Sequence, residues 1–171
     1  MSKLNRFLKL VDTINDFIGR WISLLIFPLI GIILYEVLMR YILRQSQDWV
    51  PETSQFLFGT LFVLGGGYIL LNGGHVRLDL LYDRLPPRAK AVLDVATFIF
   101  FFLFCGVLFW KGALMGWDSL IIMERSQSAW GPILFPIKFI IPIGTGLLIL
   151  QGLVKLIRDI LIVTKRNGLG S

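Results

Sequence analysis

The residues of this chain best suited to chemistry fall into two groups. One is the stretch Gly73-Gly74-His75-Val76-Arg77-Leu78-Asp79, which carries the single histidine. An imidazole flanked by arginine and aspartate could move a proton or ligate a metal. The other is Glu36, Arg40, Glu52, Glu124 and Lys138, charges set in or beside long apolar runs. Charges there serve as a substrate site, a proton relay or a structural clamp. Neither group completes a catalytic or cofactor constellation. His75 has no second ligand or nucleophile close in sequence, and a lone histidine excludes bis-histidine haem ligation within the chain. The single cysteine, Cys105, excludes an internal disulfide and a CxxC pair. Gly65-Gly66-Gly67 lacks the Gly-Lys-Ser/Thr that completes a phosphate loop. The expectation is no enzyme, no cofactor and no metal.

The elements that position these residues are membrane helices. The chain is 56% hydrophobic and 16% charged, with mean hydropathy +0.75. A soluble domain carries about 25% charged residues. The apolar excess falls in blocks close to the ~20 residues that cross ~30 Å of hydrocarbon. The predicted fold is an all-α integral membrane protein, one membrane domain with four transmembrane helices plus amphipathic interfacial helices. Spans are expected at about 21–39, 51–71, 91–110 and 132–154.

Residues 1–20 place Leu4, Phe7, Leu8, Val11, Ile14 and Ile18 at helical spacing, with Lys3, Arg6, Lys9 and Asp12 opposite. That pattern predicts an amphipathic helix in the interface rather than a cleavable signal peptide. Residues 111–131 are too polar to span, yet Leu114, Trp117 and Ile121 keep helical spacing. A second helix lying flat is expected there. Pro86-Pro87 ends a short amphipathic turn after the His75 motif. Gly59 and Gly65-Gly66-Gly67 offer small surfaces for close helix approach. The phenylalanines between Phe98 and Phe109 read as lipid- or partner-facing bulk.

Basic residues set the orientation. Twelve of the 17 Lys and Arg lie in 1–20, 73–90 and the basic tail 155–171, against four in 40–55 and 111–131. By the positive-inside rule the N-terminus, the His75 loop and the C-terminus are cytoplasmic. The net charge of +6 then reflects topology and contact with membrane lipids, and no nucleic-acid partner is expected.

Glu36, Arg40, Glu52 and Lys138 fall at similar depth toward the outer leaflet and form an expected structural polar cluster. Lys138 either snorkels outward or meets a carboxylate on a neighbouring span, with Glu36 the better-placed partner. A relay needs ionisable groups through the inner half as well. Only Asp94 offers one, and Arg88 and Lys90 beside it give an ion pair as the plainer reading. The cluster reads as a clamp. Asp48, Trp49, Asp118, Glu124 and Arg125, in the two outer loops, are candidate docking residues for a soluble partner.

In order, Glu36-Val37 with Arg40-Tyr41, Trp49 with Glu52, His75-Val76-Arg77-Leu78-Asp79, Leu85-Pro86 with Asp94, Ser126-Gln127-Ser128-Ala129-Trp130, Pro136-Ile137-Lys138 with Pro142-Ile143-Gly144, Gln151-Gly152 and Arg158-Asp159 resemble the small membrane subunit of tripartite ATP-independent periplasmic (TRAP) transporters, the DctQ-like family. The resemblance covers about residues 15–160. It implies a scaffold that binds a larger permease subunit of roughly twelve spans, working as an elevator, and helps dock a periplasmic solute-binding protein. The implied process is sodium-coupled uptake of an organic acid, such as a dicarboxylate or sialic acid, at the bacterial inner membrane. Because the chain runs out after its basic tail, two separate membrane subunits are expected. His75, Arg77, Asp79 and Asp94 then read as a cytoplasmic loop signature. The rival readings are a small self-contained proton-coupled exporter, which would need an acid deeper in a span than Glu36, and an accessory membrane subunit of a respiratory complex.

Overall fold

A computed structural model of the chain describes residues 3–72 and 87–167, with side chains described at 3–72, 97–158 and 160. These residues fold into helices α1 (Lys3–Ser23), α2 (Ile26–Ile42), α3 (Trp49–Leu71), α4 (Pro87–Ile121) and α5 (Phe135–Asn167). Among them there is no β-strand, only an isolated bridge between Arg125 and Ile133. Four stretches are long and apolar enough to cross a membrane: Lys3–Ile42, Trp49–Leu71, Thr97–Ile121 and Phe135–Arg158. The chain is an all-α, multi-pass membrane protein.

Helix ends differ from the expected boundaries in ways that have physical causes. The N-terminal helix runs to Ser23, and a turn at Leu24-Leu25 separates it from α2. Residues 111–121 are not a separate flat helix. They are the last turns of α4, whose 35 residues extend about 52 Å, well beyond ~30 Å of hydrocarbon. The pairing of α4 with α5 carries the helix on, because Gly112 lies against Ile141 and Pro142 and Gly116 against the Phe139 ring. The helix stops where Met123 turns left-handed, φ 47°. The Met123 N–H then returns to the Leu120 carbonyl at 3.3 Å and the Glu124 N–H to the Ser119 carbonyl at 3.0 Å, a Schellman closure. The basic tail likewise continues α5 as far as Asn167.

The helices pack in the order α2, α3, α5, α4, with α1 laid against α3 and α5. Small residues let the backbones meet, as membrane helices require when lipid offers no hydrophobic drive between them. A side chain on Gly144 would strike the Val63 backbone and side chain, and one on Gly19 the Tyr68 ring. Of the glycine triplet, Gly67 makes the close approach, against Asn15, whereas Gly65 and Gly59 face open space. The phenylalanine run divides: Phe101 covers Gly152, while Phe100 and Phe104 face outward. Thr53, Thr60 and Thr145 each donate their hydroxyl to the carbonyl four residues back, which satisfies these three hydroxyls within their own helices.

Candidate functional site

The α2–α3 and α4–α5 connectors share one end of the bundle, and three carboxylates organise it. Glu36, in the last turns of α2, is buried at 9% exposure. It accepts from Arg40 one turn on at 2.7 Å, from the Ser46 hydroxyl at 3.2 Å and from the Gln47 N–H at 3.4 Å. Arg44 turns left-handed there (φ 53°), and the Gln45 N–H returns to the Met39 carbonyl at 3.1 Å. Glu36 therefore pins the connector that leads into α3.

Glu52 lies in the first turn of α3, where the helix dipole favours a negative charge. It accepts hydroxyl hydrogen bonds from Ser126 and, at 2.8 Å, from Ser128, both in the α4–α5 connector. Ser128 Oγ in turn accepts the N–H of Gly131, whose φ of 59° allows the chain to reverse. Ser126 N–H to the Pro132 carbonyl (2.9 Å) and Leu134 N–H to the Glu124 carbonyl (2.9 Å) close the loop on itself.

Glu124 closes the third contact. Its carboxylate pairs with Lys138, three residues past the start of the apolar helix α5. The Lys138 hydrogen bond holds the Glu124 carboxyl below the usual carboxylate range. Here the structure corrects the sequence reading. Lys138 neither snorkels free nor meets Glu36. Glu36 is already filled by Arg40, Ser46 and Gln47, and the α4–α5 connector folds back to bring Glu124 over Lys138. The expected single cluster of Glu36, Arg40, Glu52 and Lys138 is in fact three clamps, with no hydrogen bond or ion pair between them among the described residues.

The candidate docking residues sort by exposure. Asp48, Asp118 and Arg125 are exposed. Trp49 is half-buried with its ring 6.0 Å from that of Tyr35, a packing role. Glu124 is half-buried and committed to Lys138. Trp130, not singled out from sequence, projects from the clamped connector at 48% exposure, with Gln127 exposed beside it. Its position within Ser126-Gln127-Ser128-Ala129-Trp130 was the available signal. His75, Arg77 and Asp79 lie outside the described residues, as does the side chain of Asp94.

A second polar group, near the C-terminal end of α3 and the middle of α5, had no strong sequence signal. Asn15 of α1, 2% exposed, donates to the Gln151 amide oxygen of α5 at 2.9 Å and to the Val11 carbonyl at 3.1 Å. Gln151, also 2% exposed, donates to Asp12 at 3.0 Å, and Asp12 is paired with Arg158. Leu8, Val11 and Val154 pack beside this latch. Gln151 and Arg158 stand in the sequence pattern, but their partners on α1 do not follow from helical spacing alone.

Among the described residues no group of three or more His, Cys, Asp or Glu could hold a metal ion. The arrangement ties connectors to helix ends rather than lining a path. The family model for the DctQ component of tripartite ATP-independent periplasmic transporters matches residues 29–161. The isethionate TRAP transporter permease protein DctMQ of Oleidesulfovibrio alaskensis is 24% identical over 138 residues, 77% of this chain. The chain spans about a fifth (21%) of that relative's length.

Proposed function

The chain belongs to the DctQ family, the small-subunit component of TRAP transporters, and on that premise we propose that it is the fixed scaffold of such a transporter. In this reading it binds and steadies a larger permease subunit in the bacterial inner membrane, with both its termini in the cytoplasm. Its α2–α3 and α4–α5 connectors face the periplasm, where they help dock a soluble solute-binding protein. The cargo is an organic acid taken up with sodium. The isethionate named for the relative fits that class of small organic anion. Membership in this family sets aside the exporter and respiratory-subunit readings.

The observation that carries the proposal is the clamped α4–α5 connector. A docking surface gains affinity when its loop is ordered before the partner arrives, because less entropy is lost on binding. Glu52 and Lys138, rooted in two different helices, hold that loop from both sides. Arg125, Gln127 and Trp130 remain exposed on it. A wide belt of outward apolar side chains, from Phe27 and Leu34 on α2 to Phe100 and Trp110 on α4, suits lipid and a membrane partner.

The test is transport in proteoliposomes holding the permease subunit and supplied with the binding protein, with and without this chain. The scaffold reading expects organic-acid uptake only when the chain is present. Full uptake by the permease subunit alone would contradict it.

A further inference from the structure

Helix α1 presents three faces of different chemistry. Leu8, Val11, Asn15 and Gly19 are buried against the rest of the fold. Phe7, Leu10, Ile14, Phe17 and Trp21 form a second stripe, and all five are exposed. Lys3, Arg6, Lys9 and Thr13 form the third, also exposed, and with Phe7 and Leu10 they line a shallow open groove. Residues three apart on a helix lie one above another, so the three cations make one edge at about one-turn spacing.

Nothing on α1 neutralises that edge. Asp12 is held by Arg158 and Asp16 by Arg20, at 2.8 Å. Among the described residues none of Lys3, Arg6 and Lys9 has an ion-pair partner. Nor is α1 free to roll. Rotation by one residue, about 100°, would break the bonds from Asn15 and Asp12 to Gln151 and Arg158. The latch therefore fixes an apolar stripe and a cationic stripe side by side, the pattern of a helix held at the border between hydrocarbon and water.

We infer that the Lys3–Arg6–Lys9 edge of α1 is a binding site for anionic phospholipid headgroups. The three cations contact phosphate oxygens, and the acyl chains run along Phe7 and Leu10. The adjoining apolar stripe selects a lipid over a free anion, and the excess positive charge selects an anionic lipid over a zwitterionic one. The inference rests on the membrane fold and goes beyond the docking role without depending on it.

Native mass spectrometry of the purified full chain in mild detergent, titrated with phosphatidylglycerol or phosphatidylcholine, tests it directly. The wild-type chain should retain phosphatidylglycerol roughly tenfold more strongly than phosphatidylcholine. The variant K3Q/R6Q/K9Q should lose that preference while its phosphatidylcholine retention and melting temperature stay unchanged. A control removing three exposed cations at other sites, R44Q/K111Q/R125Q, should keep it. Should the triple variant fold poorly, the single changes should each lower the preference in part. Unchanged preference in the K3Q/R6Q/K9Q variant or in all three singles, or an equal loss in the control, would overturn the assignment. So would displacement of phosphatidylglycerol by millimolar inorganic phosphate, which would make the edge a site for free anions.

Discussion

Lys138 of α5 is paired with Glu124, fourteen residues before it, and not with Glu36 of α2. An ammonium in the first turn of an apolar helix is stabilised by a carboxylate that its own preceding loop delivers. The pair thereby sets the shape of the α4–α5 connector. Removing the lysine should free that connector. Lys138→Ala should accelerate proteolytic cleavage within residues 122–134, and the exchange Glu124→Lys with Lys138→Glu should restore much of the protection. Equal cleavage in wild type and Lys138→Ala would show that the pair does not hold the loop.

The same pair makes the connector sensitive to acid. Glu124 has its carboxyl held below the ordinary glutamate value by Lys138. Its contribution is therefore complete above that ordinary value and is lost as pH falls through the lowered one. Trp130 fluorescence should stay constant from neutral pH to about pH 5 and change only under stronger acid. Glu124→Gln should show the acid-like signal already at neutral pH. A transition centred near neutrality would mean another group controls the loop.

Away from the connectors, the buried amide pair of Asn15 and Gln151 fastens α1 to α5. Asn15→Ala leaves the Gln151 oxygen buried without that donor, a loss of about 1–3 kcal/mol. Replacing both residues by leucine should cost less, because no orphaned polar atom remains. Unfolding in mild detergent measures both, and a double variant weaker than the single would count against this account.

Glycines with identical helical settings should respond oppositely. Gly144 meets Val63, and an added Cβ would lie 2.7 Å from a backbone oxygen there. Gly144→Ala should destabilise by about 1–3 kcal/mol, as overpacking does. Gly59 faces open space, so Gly59→Ala should stabilise by about 0.5–1 kcal/mol through helix propensity. Melting temperatures that move together would show that the α3–α5 approach is looser than described.

Apolar block length made the number of spans and the all-helical class legible, because hydrocarbon thickness sets a length that composition reveals directly. Helix ends were less legible. Polar residues such as Lys111 and Asp118 argue for an interface, but α4 continues through them because packing on Phe139 and Ile141 outweighs local polarity. The charged residues worth attention were visible as charges in apolar surroundings, whereas their pairing was not. Depth along a span placed Glu36 near Lys138, but two left-handed turns, at Arg44 and Met123, redirect the connectors and change the partners. No helical periodicity encodes such turns when the residue is not glycine. The Asn15–Gln151 contact was hidden for another reason: 136 residues separate the partners, and a buried asparagine on an amphipathic helix reads as part of its polar side.

The scaffold account stands or falls on the exposed face of the clamped connector. Affinity of the solute-binding protein for the reconstituted complex of this chain and its permease subunit should be measured for wild type, Arg125→Glu and Trp130→Ala. Aromatic and arginine anchors dominate such interfaces, so each variant should weaken binding by about tenfold or more while the two membrane subunits still co-purify. Wild-type affinity in both variants, with assembly intact, would contradict a docking role for this surface.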